Sequence, residues 1–443
     1  MSLVLAAFAI RNTHFFFGGE MHRHSWRVWS GILAVIGLCG TAFAQTGGSP
    51  LTWEQVKARF VAANPELKAG QLNIQESKAQ EITAYLRPNP DVTLTMDQID
   101  FFSGNPYRPF QYALPLISFS YLHERQHKRE LRLESAQNNT AISAAQQQDL
   151  ERTLLFSLRS AFVQALQAKA LLENAKENLD YFQKQLAINQ DRYKAGDIAR
   201  VDLDRVVLQR VQYESDFQTA QVNLRTAKIM LLMLLNDRTP VDRFDISGRF
   251  DFTGDLPPLE QFHTDALAAR PDLKAAILAV QKAQTDHKLA VANGSTDPTF
   301  GADFGRNPPI PVYMGVSVNI PLRIFDRNQG EKARTEIDIV HAERQKDAAE
   351  AQVFSDVDSA YFTVVSALNQ LRSYKGSDGY LETATRIREI ISFSFQHGQA
   401  ALVDYLDAQR DFRATQVAYV NLVGSYLTAA GQLNLAVGRE VIP

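Results

Sequence analysis

Behind Gly196 the apolar positions recur at alternating steps of three and four: Leu203, Val206, Arg210, Tyr213, Phe217, Ala220, Leu224, Ala227, Leu231 and Leu234. Moving 202 positions along the chain gives Tyr405, Ala408, Phe412, Thr415, Tyr419, Leu422, Tyr426, Ala429, Leu433 and Ala436. Only Arg210 and Thr415 break the apolar pattern. A 3,4 repeat is the period of helices wound on one another, so both segments predict coiled-coil helices rather than surface helices of a globular domain. The seam also runs ahead of Gly196 through Leu172, Ala175, Leu179, Phe182, Leu186, Asn189 and Tyr193, and no proline or glycine falls between Glu124 and Tyr193. At ~1.5 Å per residue such a helix reaches on the order of 100 Å.

Four short segments follow another period. Val92, Leu94 and Met96 alternate with Thr93 and Thr95; Ile117, Phe119 and Tyr121 with Ser118 and Ser120. Phe300, Ala302 and Phe304 alternate with Gly301, Asp303 and Gly305; Val312, Met314, Val316, Val318 and Ile320 with Tyr313, Gly315, Ser317 and Asn319. Period two with one apolar face predicts strands, and an apolar face meeting lipid opposite a wet lumen gives the same signature. The segments pair into hairpins over about 91–122 and 299–320, joined by FFSGNPYRPF (101–110) and RNPPIP (306–311). A membrane barrel needs at least ~8 strands and tolerates no open edge in lipid. Several copies must therefore share one barrel, and three would supply twelve strands.

The chain is an internal duplication. YKAGDIARVDLDRVVLQRV (193–211) aligns with FQHGQAALVDYLDAQRDFR (395–413), matching Gly196 to Gly398 and Asp202 to Asp404. Asn64-Pro65-Glu66-Leu67 likewise resembles Arg270-Pro271-Asp272-Leu273. We delimit a first repeat at 45–236 with long helices over about 124–235, a linker at 237–260 packed outside the helices, a second repeat at 261–438 and a tail at 439–443.

The N-terminus adds a compartment. His22, Arg23, His24 and Arg27 precede the short apolar run 28–40, and Ala42-Phe43-Ala44 follows. That is the layout of a secretory signal peptide cleaved after Ala44, with residues 1–44 removed and Met21 the natural start of the signal. The run is too short to span a membrane comfortably. Cys39, the only cysteine, lies inside the signal. Leu38 precedes it where lipidation wants a small residue, so no lipidation is expected, and the mature chain has no disulfide. No later run approaches a transmembrane helix. A net charge of −3 gives no basic balance pointing to nucleic acid.

Taken together, these features resemble the TolC-like outer-membrane efflux family. The resemblance covers roughly 51–438 and rests on Asn64-Pro65-Glu66-Leu67, Leu86-Arg87-Pro88-Asn89-Pro90, the glycine turns at 196 and 398, and Val403-Asp404-Tyr405-Leu406-Asp407-Ala408-Gln409. The run Pro321-Leu322-Arg323-Ile324-Phe325-Asp326-Arg327-Asn328-Gln329-Gly330 is similar to the heavy-metal, cobalt–zinc–cadmium branch. The resemblance implies a mainly α protein with a small transmembrane β part: a homotrimeric 12-stranded β-barrel in outer-membrane lipid, continuous with an α-helical barrel across the periplasm of a Gram-negative bacterium. It implies a periplasmic adaptor and an inner-membrane pump of the RND type as partners, with divalent heavy-metal cations as cargo. A type I secretion or multidrug duct of the same family, or a soluble periplasmic coiled-coil scaffold, are the alternatives. The resemblance also puts Gly196 and Gly398 at the periplasmic tip, makes Asp404 and Asp407 a ring of pore aspartates, and makes Asp202 a gating residue. Ala400 stands where family members can carry an arginine that ties neighbouring helices.

Chemistry beyond this is thin. There is no phosphate-binding glycine loop, HExxH or G-x-S-x-G, so we expect neither an enzyme nor a cofactor. His123 and His127, four apart, would share a helix face as a weak metal candidate, and His397 beside the tip glycine is another. The bland reading of each is a solvated surface histidine. Early in a helix, Asp404 and Asp407 also suit the helix dipole.

Overall fold

The computed structural model describes residues 50–442 apart from Ser103, Thr253 and Ser377. The signal peptide, its cleavage site and Cys39 lie outside the described residues. Helices α1 (Trp53–Ala63) and α2 (Pro65–Tyr85) lead into strands β1 (Asp91–Asp97) and β2 (Leu114–Leu122). Helices α3 (Lys128–Ala195) and α4 (Arg200–Leu234) follow. The order then runs through again: α5 (Leu259–Ala269), α6 (Pro271–Asn293), β3 (Thr299–Asn307), β4 (Ile310–Asn319), α7 (Gln329–Lys375), α8 (Tyr380–Gln396) and α9 (Leu402–Val437). No helix among the described residues is long and apolar enough to cross a membrane.

The 3,4 seam is the packed face. Leu203, Val206, Tyr213, Ala220 and Leu231 on α4, and Tyr405, Ala408, Phe412, Tyr426, Ala429, Leu433 and Ala436 on α9, are buried. Arg210 stays at the surface and pairs with Glu214 at 3.2 Å. Helix α3 packs against α2, α4, α6 and α9, and α7 packs against α6 and α9. One apolar core, from Phe262 to Leu433, joins α5, α7 and α9; a second, around Phe60, Phe162 and Leu231, joins α1, α3 and α4.

The aligned motifs at the two repeat starts have diverged. Asn64 caps α2: its Oδ1 accepts from the backbone N–H of Glu66 and Leu67 at 2.9 and 3.0 Å, with Pro65 in the first turn. Arg270 caps nothing. It is buried and donates to Asp356 on α7 at 2.8 Å, to Asp272, and to the carbonyl of Ala436 on α9 at 3.3 Å. The second repeat thus exchanges a local cap for a tie between helices.

The strands form one four-stranded antiparallel sheet in the order β1-β2-β3-β4. Its middle pairing crosses the repeat boundary: Phe119 faces Ala302 and Ile117 faces Phe304. Because the register keeps like faces together, Val92, Leu94, Ile117, Phe119, Phe300, Phe304, Val312, Met314, Val316 and Val318 make one continuous apolar face. All are exposed, Leu94 at 74% and Val316 at 85%.

Several expectations need correction. The turn between β3 and β4 is shorter than 306–311, because Asn307 pairs with Ile310 and only Pro308 and Pro309 remain between the strands. Helix α3 starts at Lys128 rather than near 124. The repeats also differ from one another: α3 of the first is matched in the second by two helices, α7 and α8, parted at Gly376–Gly379, where an added Cβ at Gly379 would stand 2.6 Å from the Tyr374 carbonyl. The segment after α4 also does more than pack outside: Phe244 and Ile246 are buried in the core of the first repeat, and Leu51 bridges Ile246.

Candidate functional site at the helical tip

The end of the helical part is made by two matching turns. Gly196 closes α3 at φ +86, its N–H reaching the carbonyls of Arg192 and Tyr193. Gly398 follows α8 at φ +70, with its N–H on Phe395 and that of Gln399 on Ser394 at 2.8 Å. A Cβ on either glycine would meet nothing within 4 Å, so the left-handed backbone is what requires glycine there. The helices that follow start from Ala199 and Ala401 with the same backbone, φ −73 and ψ 153 and 154.

Behind the turns the two hairpins share an apolar core. Leu179, Phe182, Leu186, Leu203, Val206 and Tyr213 come from α3 and α4, and Phe395, Leu402 and Tyr405 from α8 and α9. Phe182 stacks on Tyr213 at 4.5 Å between ring centroids, and Phe395 on Tyr405 at 4.8 Å. Burial pushes the Tyr405 and Tyr213 phenols above the ordinary tyrosine range, so both are neutral.

Polar ties cross between the hairpins around this core. Tyr181 Oη and Ser392 Oγ are 3.2 Å apart across the hairpins, and within the second hairpin Gln409 Nε2 donates to the same Ser392 Oγ at 3.1 Å. Arg413 donates to Asp216 on α4 at 2.8 Å while lying over the Tyr213 ring. The Arg388 guanidinium lies 3.7 Å from the Phe412 ring centroid and 5.2 Å from that of Tyr181. Arg192 donates to the Phe395 carbonyl at 3.2 Å. Sequence reading missed all of these: the ties between hairpins join residues about 200 positions apart, and Arg388, Ser392 and Gln409 lie outside the seam.

The carboxylates singled out from sequence stand at this end. Asp404 is exposed in the first turn of α9. Asp407 pairs with Arg410 at 3.1 Å, so it carries a counter-ion within its own helix. Asp202 lies 4.0 Å from Arg205.

The histidines are not brought together as a metal site. His123 and His127 both precede α3, with His127 in a left-handed cap at φ 54, so the four-residue spacing never becomes a helix face. His123 approaches the Phe300 ring and His127 lies 4.0 Å from Glu130. His397 Nδ1 is 2.8 Å from the Phe393 carbonyl, its ring against that of Phe393. No group of three or more His, Cys, Asp or Glu among the described residues could hold a metal.

An apolar-faced sheet is continued by long paired helices that end in two glycine turns. The family model for "Outer membrane efflux protein" matches residues 263–439. The chain is 22% identical to the cobalt-zinc-cadmium resistance protein CzcC of Cupriavidus metallidurans, over 90% of this chain and 92% of that one. Its fold matches the solved structures of CusC (TM-score 0.74, 17% identity, 91% of this chain and 96% of that one) and VceC of Vibrio cholerae (TM-score 0.70, 16% identity, 87% and 96%). Over residues 263–439 the chain is thus similar to the outer-membrane efflux proteins, and over most of its length it shares the fold of solved outer-membrane channels.

Proposed function

We propose that three copies of this chain close a twelve-stranded barrel, and that the channel discharges divalent heavy-metal cations delivered by an RND-type pump through a periplasmic adaptor. The observation that carries the shared barrel is the sheet: one face is apolar and exposed, and β1 and β4 are open edges. Four strands cannot close, and lipid does not tolerate an unpaired edge. Apolar side chains along the flanking helices, Leu208 (71% exposed) and Met233 (71%) on α4 and Ile337 (67%) on α7, are what neighbouring copies would cover. A soluble periplasmic scaffold would leave the sheet face in water, so the channel is the better reading.

The cargo rests on the similarity to CzcC and on the FDRNQG run at 325–330. The tip supports a cation path: Asp202, Asp404 and Asp407 would be repeated three times around the axis, and clustered carboxylates in a narrow pore favour cations. Deleting the gene should sensitise cells to zinc, cobalt, cadmium or nickel. Sensitivity to dyes and drugs alone would sink the metal assignment, and a stable monomer in detergent with full β-content would sink the shared barrel.

A further inference from the structure

A pocket far from the tip lies where α1, α3, the start of α6 and the end of α9 meet. Its cationic side chains are Lys57, Arg152, Arg159 and Arg439, against the carboxylates of Glu151 and Glu440. Three of the four cations are engaged. Arg152 donates to Asp149 and the Leu435 carbonyl, Arg439 to Asp265, and Lys57 stands 3.7 Å from Glu440. Arg159 is half-buried and makes no hydrogen bond or ion pair among the described residues; its guanidinium lies 4.7 Å from the Trp53 ring centroid. Burial disfavours its charge, and Glu440 and Glu54 act only from a distance. Trp53 Nε1 is itself buried without a hydrogen-bond partner. Two donors without acceptors beside one opening cost free energy that an oxyanion would offset. The remaining wall is apolar, with Leu155, Phe156 and Pro271.

We propose that this pocket binds a small amphipathic oxyanion, a carboxylate or phosphate monoester bearing a short apolar chain, with its charge on Arg159 beside Trp53 and its chain against Phe156 and Leu155. A second copy of the protein is the less fitting occupant. The lining comes from α1, α3, α9 and the α5–α6 junction, not from α4 or α7, which carry the exposed apolar side chains Leu208, Met233 and Ile337 offered to neighbouring copies.

Trp53 is the only tryptophan among the described residues, so its fluorescence reports this pocket; Trp26 and Trp29 fall in the expected signal peptide. The purified protein in non-ionic detergent is titrated with hexyl phosphate, hexanoate, hexanol and inorganic phosphate, with Trp53→Phe as background. Saturable quenching or a spectral shift is expected with hexyl phosphate or hexanoate, and whichever binds more tightly identifies the head group. Arg159→Gln should weaken binding about tenfold or more, the worth of a charge-assisted hydrogen bond, while Arg159→Lys retains part of it. Equal binding of hexanol would remove the charge from the argument. Inorganic phosphate binding as tightly as hexyl phosphate would remove the apolar chain. No saturable signal with any anion from folded protein, or a Trp53 closed to acrylamide in the assembly, overturns the proposal.

Discussion

The tie between the hairpins at Arg413 and Asp216 offers a direct test of how the tip is held. The pair is 2.8 Å long and partly screened, with 21% of the arginine and 37% of the aspartate side chain exposed. It therefore lies between an exposed ion pair, about 0–1 kcal/mol, and a buried charge-assisted hydrogen bond, about 1.5–3 kcal/mol. We take about 1 kcal/mol for the bond itself. Arg413 also lies 5.0 Å from the Tyr213 ring centroid, a cation–π contact worth about 0.5–1 kcal/mol at such a site. Asp216→Asn removes the charge and keeps the ring contact; Arg413→Gln removes both. The first should cost about 1 kcal/mol of hairpin association and the second nearly 2 kcal/mol. The double variant should cost little more than Arg413→Gln, because the shared bond is counted once. If separation of the hairpins opens the tip, about 1.4 kcal/mol shifts the closed-to-open ratio tenfold. Single-channel recording in planar bilayers should then show open-state occupancy rising several-fold in Asp216→Asn and further in Arg413→Gln. Variants that melt earlier but conduct like the parent would refute the reasoning, since the tie would then be structural only.

The other predictions are briefer. Replacing both Asp404 and Asp407 by Ala should abolish most cation selectivity and block by multivalent cations while leaving trimers intact; unchanged selectivity makes them helix-start residues only. N-terminal sequencing of the exported protein should begin at Gln45, and a start at a modified Cys39 would reverse the non-lipidated expectation. Gly398→Ala should destabilise the tip by about 1 kcal/mol through the left-handed backbone alone, because no atom stands near the added methyl; a neutral thermal melt would contradict this. Burial by itself would raise the Asp245 carboxyl, yet Lys169 and Lys228 hold it below the ordinary range. Its stabilising contribution is thus present above the unfolded value of about 3.9 and is lost as pH falls through the lower folded value. Melting curves across that window should flatten in Asp245→Asn.

Much of this protein was legible in the sequence because the signals are local and periodic. The seam residues from Leu203 to Leu231 and from Tyr405 to Ala436 could be assigned to packed helix faces by spacing alone, since a helix returns the same face every three or four residues. The strand faces could be read from period two, and Gly196 and Gly398 from the turn each had to make. Three things needed the tertiary structure. The pairing of β2 with β3 joins Phe119 to Ala302 across the repeat boundary, and alternation specifies a strand's faces but not its neighbour. The break between α7 and α8 was hidden because its glycines looked no different from tolerated interior ones. The ties Arg413–Asp216, Tyr181–Ser392 and Arg270–Asp356 join residues 86 to 211 positions apart. Such contacts leave no mark in the spacing of either segment, because a polar side chain on a helix reads the same whether it faces water or a partner, and only the folded arrangement of the helices decides which.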